Sequence, residues 1–279
     1  MIKPVAYFKP GSMEEALEAL RTENAHPLAG GTDLLVNMRN GVEHPDLLVD
    51  IKGLDDLDVF SADRKNGITI GAKVNLNFLI DDSNLRNICP ILSESALTVA
   101  TYQLRNRATL VGNICNASPA ADMAPALYVM DAMVVVATES GEKRVPIKDF
   151  IRGVKKTSLS KGELVIRVEI PEVPNGKMGF LKKQRYRGHD LAIVNVAGIA
   201  DPDKKSLKIC IGACAVTPIL LEGTDELYRE SNDVEELADR VAELALQSIS
   251  PIDDVRSSAE YRRDMAAVYV KRLVRKICA

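Results

Sequence analysis

Two stretches of this sequence combine glycine with short polar side chains, a pattern typical of phosphate binding. In the first, PLAGGTDLL, Gly30 and Gly31 follow an apolar approach, and Thr32 or Asp33 could begin a helix. Such a turn presents backbone N–H groups to an anion, and glycine suits it because it has no β-carbon and tolerates positive φ. The alternative is a plain turn followed by a helix N-cap.

The second stretch, TLVGNICNASPAAD, lies about 80 residues later. Thr109 and Asn113 are short donors around Gly112, so the surface could accept a flat or extended ligand. Asp122 could accept hydrogen bonds from a sugar hydroxyl, whereas a phosphate would prefer the neutral donors. The alternative is a loop packed under its own helix, with Asp122 capping MAPALYVM. Together the two stretches suit a dinucleotide with a pyrophosphate.

Composition argues against several other classes of protein. The chain has 279 residues, is 46% hydrophobic and carries a net charge of -3, so it can bury a sizeable core and has no basic surface for nucleic acid or an anionic membrane. No apolar run approaches the roughly 20 residues that span a bilayer, and the first residues lack the apolar core of a signal peptide. The cytoplasm is the expected location.

The cysteines and histidines do not predict a metal site. Five cysteines at irregular spacing fit free thiols in a reducing compartment better than a disulfide framework. Cys210 and Cys214 lie in KICIGACAV, which alternates like a buried strand, and positions i and i+4 of a strand lie too far apart to chelate one ion. The three histidines lack the spacing of a helical metal pair.

The elements that must position these stretches predict an α+β fold. Ser12 and Glu15 form a capping box for a helix that ends near Arg21, and 47–51 reads as a short buried strand, so the first 55 residues form a small α/β unit. Further strands are predicted at 67–72, 131–138 and 163–170, and further helices near Asn75 and at about 84–100.

After Pro174 the sequence contains two β-rich runs followed by two predicted helices. The β-rich runs 190–200 and 206–216 are joined by the turn DPDKK and predict a hairpin. A helix with Asp233 as its N-cap follows, and then a last helix whose apolar stripe predicts core or interface packing. The predicted domains are the N-terminal lobe 1–55, a second lobe 56–172 and a C-terminal domain 173–279.

As a set, these stretches resemble the FAD-binding medium subunit of the molybdenum hydroxylases, the family of xanthine dehydrogenase, carbon monoxide dehydrogenase and the aldehyde oxidases. Five stretches carry the resemblance in family order: AGGTDLL, RNRATLVGNICNASPAAD, GELVIRVEIP, KKQRYRGHDLAIVNVAG and SPIDDVRSSAEYRRDM. It implies a two-lobed FAD-binding fold of the PCMH type, with a small α/β lobe and a mixed α+β lobe. A C-terminal α+β domain with a small antiparallel sheet follows.

The resemblance also implies which residues bind non-covalent FAD. The family's first turn corresponds to 28–34 and its second phosphate segment, T-I/V-G-G-N, to 109–113. Asp122 matches an aspartate near the adenosine half, Val165 an apolar position on the flavin side, and Lys182 a lysine near the cofactor. The implied set is Leu28, Ala29, Gly30, Gly31, Thr32, Asp33, Leu34, Thr109, Val111, Gly112, Asn113, Asp122, Val165, Lys182 and Tyr186.

Val111 departs from the family pattern, which usually has glycine there. Because valine disfavours positive φ, this substitution predicts a displaced backbone and a weaker or altered FAD site. A bulky residue at Gly30 or Gly31 is expected to abolish FAD binding. The change Val111→Gly is expected to leave binding intact or to strengthen it.

The family's loop after the lysine lies beside the isoalloxazine ring, and here it reads KQRYRGHD. Arg185, Arg187 and His189 could attract an anionic acceptor or favour reduced, anionic flavin. Tyr186 could stack on the ring or cover one edge of it. A solvated loop is the alternative.

By resemblance, the chain is an electron-transfer subunit without catalytic residues for the organic substrate. In the family, a large subunit hydroxylates at a molybdopterin, iron–sulfur clusters of a small subunit carry the electrons, and FAD delivers them to NAD or another acceptor. The resemblance implies these two partner subunits and a dimer of heterotrimers. The alternatives are a free-standing FAD-dependent oxidoreductase of the same fold superfamily and a non-catalytic scaffold that has lost FAD.

Overall fold

The first sheet is parallel, with strand order β1-β3-β2, in a computed structural model that describes residues 4–186 and 188–279. Its helices connect the parallel strands, which a tight turn could not do. Ser12 accepts a hydrogen bond from the Glu15 N–H, as predicted, and the Glu15 carboxylate accepts one from the Gly11 N–H. The elements are β1 (Ala6–Phe8), α1 (Met13–Ala19), β2 (Ala25–Leu28), α2 (Leu34–Arg39), β3 (Leu47–Asp50) and a 3₁₀ turn (Ile51–Gly53).

The second sheet is antiparallel, with five strands in the order β4-β5-β10-β6-β7. A separate two-stranded hairpin, β8–β9, precedes its central strand in the chain. The strands are β4 (Phe60–Asp63), β5 (Gly67–Gly71), β6 (Met133–Thr138), β7 (Gly141–Pro146), β8 (Ile151–Gly153), β9 (Lys156–Thr157) and β10 (Leu164–Ile170). The strands predicted at 67–72, 131–138 and 163–170 are thus present, with shorter bounds.

Seven helices of the described residues accompany this sheet. They are α3 (Leu76–Asp81), α4 (Ser83–Ile88), α5 (Pro90–Leu97), α6 (Tyr102–Arg105), α7 (Leu110–Cys115), α8 (Met123–Val129) and α9 (Ile147–Phe150). The single helix predicted at about 84–100 is wrong, because the chain leaves helical geometry at Cys89. Pro90 disfavours helical φ and ψ at the residue before it, and it begins α5 instead.

The third sheet is antiparallel, with strand order β11-β12-β13-β14. The predicted hairpin is formed by β12 and β13, but β13 ends at Gly212 because Ala213 turns the chain with φ = +63°. Cys214 therefore lies beyond the strand, and burial raises the pKa of its thiol to about 12. The elements are β11 (Lys177–Lys183), β12 (Val194–Asp201), β13 (Ser206–Gly212), β14 (Ile219–Leu220), α10 (Thr224–Glu230), α11 (Val234–Ser248) and α12 (Ala259–Cys278).

The apolar core has two main clusters. The larger one joins the first two sheets and their helices to β11, through buried residues such as Phe150 and Phe180. The smaller one lies between the third sheet and helices α11 and α12, and it contains the predicted apolar stripe of the last helix. Because the larger cluster includes residues on both sides of position 172, the predicted divisions at 55 and 172 stay predictions. None of the helices formed by the described residues combines the length and the apolar character that crossing a bilayer requires.

Candidate functional site

The first glycine turn lies directly against Arg107 and Ala108, the two residues that precede the second predicted segment. A β-carbon on Gly30 would lie 1.9 Å from the carbonyl oxygen of Arg107 and 3.2 Å from the Ala108 nitrogen. Gly31 has φ = +70°, a conformation that residues with a β-carbon rarely adopt. The fold therefore requires both glycines, one for close approach and one for backbone conformation. The two segments that the sequence places about 80 residues apart meet at this point.

The rest of the first segment is partly exposed. Leu28 is buried at the end of β2, whereas Ala29, Thr32 and Leu34 keep part of their surface accessible. Asp33 precedes α2, but its side chain makes no capping hydrogen bond. Its carboxylate instead accepts from the Asn37 amide at 2.9 Å and from the Lys155 ammonium at 3.1 Å. The helix thus begins directly after Asp33, as predicted, but the Asp33 side chain does not cap it.

The second segment is the short helix α7 and not an open loop. Thr109 caps it, since its hydroxyl oxygen accepts from the Gly112 N–H at 2.9 Å. Val111 lies in the first turn without positive φ, and its side chain packs in the main core at 5% exposure. The strain predicted at Val111 is therefore wrong, because the helix suits a valine there. Gly112 lies on the exposed face of the same turn.

Helix α8 follows this segment and is capped from it. The Met123 N–H donates to the Asn113 side-chain oxygen at 3.3 Å, and Asp122 makes no capping hydrogen bond. Asn113 thus connects the start of α8 to α7. The alternative in which Asp122 caps MAPALYVM is wrong.

Asp122 and Lys182 form a buried ion pair. The Lys182 ammonium lies 2.7 Å from the Asp122 carboxylate, with the two side chains 3% and 6% exposed. The Asn195 amide donates to the other carboxylate oxygen at 3.0 Å, and Lys182 also donates to the Thr98 carbonyl at 2.9 Å. Burial raises the pKa of Asp122, while Lys182 and Asn195 oppose that rise. The pair joins the start of α8 to strand β11.

A turn at residues 97–101 is the meeting point of three cationic or ionisable side chains. The guanidinium of Arg105 donates to the carbonyls of Val99 and Ala100, at 3.0 and 3.1 Å. The His189 Nδ1 lies 3.0 Å from the Ala100 carbonyl, and Lys182 reaches Thr98. The turn links the loop after β11 to the segment that contacts Gly30.

The loop after β11 is largely exposed. Tyr186 is 67% exposed, and the Arg185 guanidinium lies 5.3 Å from the centroid of its ring. Arg185 also pairs with Asp190 at 3.1 Å, so its charge attracts an anionic acceptor less strongly than the sequence alone suggests. Arg187 lies outside the described residues.

Val165 lies on β10, against which α7 packs, and it is 2% exposed in the main core. It is therefore part of the apolar layer that supports the second segment. A β-bulge interrupts the pairing of β10 with β6 between Val165 and Arg167.

Sequence reasoning missed three further contributors. Lys155 and Asn195 are distant in sequence from the residues they contact. Lys155 lies in a stretch with no distinctive pattern, and Asn195 lies in a motif that carried the resemblance but was assigned no role. Arg262 lies in a motif that carried the resemblance, but no role was assigned to it. It is 2% exposed and donates to the Ala213 carbonyl and to the Asp254 carboxylate, at 3.2 and 2.7 Å.

Arg262 supports the second segment indirectly. The N–H of Ala213, whose carbonyl Arg262 holds, donates to the Pro119 carbonyl at 2.9 Å. Pro119 lies in the loop between α7 and α8. The C-terminal motif therefore holds the turn at Ala213 in place, and that turn holds the loop leading to Asp122.

Two family matches cover almost the whole chain. A family described as "FAD binding domain in molybdopterin dehydrogenase" matches residues 3–173, and "CO dehydrogenase flavoprotein C-terminal domain" matches residues 180–277. The chain belongs to the FAD-binding medium subunits of the molybdopterin hydroxylases. Such a subunit is the flavoprotein component of a molybdopterin-dependent dehydrogenase, and the predicted family is confirmed.

Relatives of this medium subunit are similar over its full length. The glyceraldehyde dehydrogenase medium chain of Sulfolobus acidocaldarius is 29% identical over 278 residues, covering 98% of each chain. The carbon monoxide dehydrogenase medium chain of Afipia carboxidovorans is 29% identical over 275 residues, covering 97% of this chain and 95% of that one.

Solved structures agree with the fold. A chain of the cyanide-inactivated Cu,Mo carbon monoxide dehydrogenase superposes with a TM-score of 0.92 at 28% identity, covering 99% of both chains. A chain of quinoline 2-oxidoreductase from Pseudomonas putida 86 gives 0.93 at 27% identity, covering 99% of this chain and 98% of that one. The predicted fold class is confirmed: a mixed α+β FAD-binding domain precedes a C-terminal domain with an antiparallel sheet and helices.

The geometry of this medium subunit fits FAD. Gly30 and Gly31 keep part of their surface accessible, although neighbouring protein atoms fill the space that a β-carbon would take at each, and the exposed Gly112 offers a second stretch of backbone without a side chain. Bare backbone of this kind suits a pyrophosphate, because N–H groups can approach its oxygens closely.

Proposed function

We propose that this chain is the electron-transfer flavoprotein subunit of a multi-subunit molybdenum hydroxylase, between the iron–sulfur clusters of a partner subunit and NAD or another acceptor. The contact of Gly30 with Arg107 carries the proposal, because it places the first glycine turn beside the start of the second cofactor segment in a chain of an FAD-binding family. When bound, FAD supplies a centre that accepts and releases electrons singly or in pairs.

The chain's own contribution is binding and orientation. The backbone of residues 29–32 and the exposed side of residues 109–113 are proposed to hold the pyrophosphate. Thr109 and Asn113 orient this side, since the first caps α7 and the second caps α8. Thr109 keeps its hydroxyl hydrogen and Asn113 its amide hydrogens as donors.

The Asp122–Lys182 pair is proposed to fix the far end of the site. Both Asp122 oxygens already accept hydrogen bonds, but a carboxylate has about four acceptor positions, so a shared bond to a ribose hydroxyl is feasible. Two of the three ammonium hydrogens of Lys182 are used, which leaves one for the cofactor. Val165 supports the second segment from the core, and the exposed Tyr186 is proposed to cover the flavin ring.

The proposed partners are an iron–sulfur small subunit and a molybdopterin large subunit, in a dimer of heterotrimers. Relatives of similar length are named for glyceraldehyde, carbon monoxide and xanthine, which supports selection of the substrate on a partner chain. We keep the cytoplasm as the expected location, on the grounds of the free thiols.

The visible absorption spectrum of the purified chain tests the proposal. The chain is measured as purified, and again after incubation with excess FAD and desalting. Retained flavin bands, with co-purification of the two partner subunits on co-expression, are the expected result. Bleaching of the bands by NADH would identify NAD as the acceptor, and no bleaching would direct the search to another acceptor.

Protein that stays colourless, both alone and co-expressed with its partner subunits, would overturn the proposal in favour of a scaffold. Flavin retained by a chain that never associates with those subunits would favour a free-standing oxidoreductase instead.

A further inference from the structure

Lys155 lies at the tip of the β8–β9 hairpin and reaches both cofactor segments. Its ammonium donates to Asp33 at 3.1 Å and also to the side-chain oxygen of Asn116. Its backbone N–H donates to the Ala117 carbonyl at 2.9 Å. Asp33 follows the first glycine turn, and Asn116 and Ala117 end α7. One residue thus contacts both sides of the proposed FAD site.

The backbone at this tip is held in an unfavourable conformation. Lys155 has φ = +56° and Ala117, its hydrogen-bond partner, has φ = +44°. Residues with a β-carbon adopt such angles only where the surroundings compensate for the strain. The hairpin tip is therefore a position that the neighbouring contacts determine.

The bond from Lys155 to Asp33 has no duplicate in the part of the chain that the structure describes. Of the hydrogen bonds formed by residues 4–186 and 188–279, it alone connects the segment 29–40 to a residue beyond position 50. The direct contact at Gly30 is a steric one. Lys155 is thus the polar link that sets the separation of the two segments on this side.

The ion pair between Lys155 and Asp33 also affects the electrostatics of the proposed phosphate site. Asp33 lies two residues after Gly31, within about 7 Å along the chain, and a pyrophosphate bound at the turn would carry like charge. That distance is inside the screening length of about 8 Å at physiological ionic strength. An uncompensated carboxylate would therefore repel the ligand. Lys155 is its partner in an ion pair whose side chains are 47% and 50% exposed.

We propose that Lys155 is a positioning residue of the cofactor site, which neutralises Asp33 and ties the first glycine turn to the end of α7. The inference rests on the proposed FAD-binding function and adds a residue to it. Lys155 acts on the ligand through Asp33 and Asn116, and not by direct contact.

The test compares Lys155→Met with Lys155→Arg and Lys156→Met in the full chain. FAD affinity is measured by flavin fluorescence titration at low and high salt, alongside the melting temperature without FAD. The neighbouring Lys156 is also exposed and is a matched control, because removing its charge leaves the link to Asp33 intact. Lys155→Met is expected to weaken FAD binding about two- to fivefold, as for a half-exposed ion pair. Lys155→Arg is expected to retain most of the wild-type FAD affinity. High salt is expected to narrow the difference in FAD affinity between the wild type and Lys155→Met.

A second background separates positioning from direct contact. In Asp33→Ala protein, Lys155→Met is expected to change FAD affinity less than twofold, because both the charge that Lys155 neutralises and the acceptor through which it holds the first turn are absent. An equal loss in both backgrounds would assign Lys155 to direct phosphate contact and overturn the positioning role. So would equal losses from Lys155→Met and Lys156→Met, which would indicate only a general effect of surface charge.

The two proposals fail in different ways. If the wild-type chain and its co-expressed complex bind no FAD, the proposed function fails. If the wild type binds FAD and Lys155→Met binds it equally well, the proposed function stands and the role of Lys155 is wrong.

Discussion

Gly30 and Gly112 occupy similar positions in two glycine segments, but they differ in how much space the fold leaves for a β-carbon. A β-carbon on Gly30 would overlap the Arg107 carbonyl, whereas one on Gly112 would meet only the Thr109 hydroxyl oxygen, at 3.0 Å. Gly112 is exposed on a helix, where alanine is ordinarily favoured over glycine. The first glycine is required by the fold itself. The fold does not require the second glycine, so any requirement for glycine at position 112 must come from the ligand.

The two segments also differ in how they are anchored. The second is tied by the Thr109 cap, by Asn113 to the start of α8, and by the Ala213 N–H that holds Pro119. The first is tied to residues beyond position 50 by the Lys155 bond, within the described ranges. A cofactor bound between them therefore contacts one side that several hydrogen bonds anchor and one side that fewer hydrogen bonds anchor.

The largest expected effect is that of Gly30→Val. The side chain cannot fit beside Arg107 without moving the turn or the segment 105–108, so we expect loss of FAD binding together with a lower melting temperature. The flavin-to-protein absorbance ratio and a thermal melt measure these two effects. Gly11→Ala is the control, since a β-carbon there would meet its nearest neighbour at an ordinary 3.5 Å. If Gly30→Val kept normal flavin content, the distinction between the two glycines would fail.

Local signals in the sequence were sufficient for many elements. Ser12 with Glu15 identified one helix start and Asp233 another, and DPDKK identified the hairpin of the third sheet, because caps and turns depend on neighbouring residues. The first glycine turn was recognised for the same reason, since close approach and positive φ leave only glycine.

Long-range contacts left no such signal. Asp122 and Lys182 are 60 residues apart, and each was interpreted as a separate cofactor contact, although they bind each other. Lys155 reaches Asp33 from 122 residues away, and a lysine pair in a polar stretch predicts nothing by itself. The residue type alone also misled at Val111, where the family pattern suggested a strained loop and the chain forms a helix.

The next largest effect concerns Val111→Gly, for which the structure predicts a loss of stability that the expectation from sequence about FAD binding did not include. The change removes a buried side chain and adds a glycine to a helix, so we expect a loss of about 2–4 kcal/mol in the free energy of unfolding. Urea unfolding followed by circular dichroism measures it. Val216→Gly, at a site 62% exposed and outside the helices, is the control and is expected to cost about 1 kcal/mol or less. Unchanged stability with tighter FAD binding would restore the expectation from sequence.

The smallest effect on stability, and the sharpest test of the comparison, is that of Gly112→Ala. Alanine gains helix propensity but crowds the Thr109 cap, so we expect the free energy of unfolding to change by less than about 1 kcal/mol. If the ligand approaches the bare backbone of Gly112, the added methyl group must weaken FAD binding in a protein that is otherwise unchanged, and fluorescence titration measures this. Because fold and ligand make separate demands at this residue, a loss of affinity without a loss of stability is attributable to the cofactor alone. Unchanged affinity would remove Gly112 from the site and leave the first turn as the principal phosphate contact.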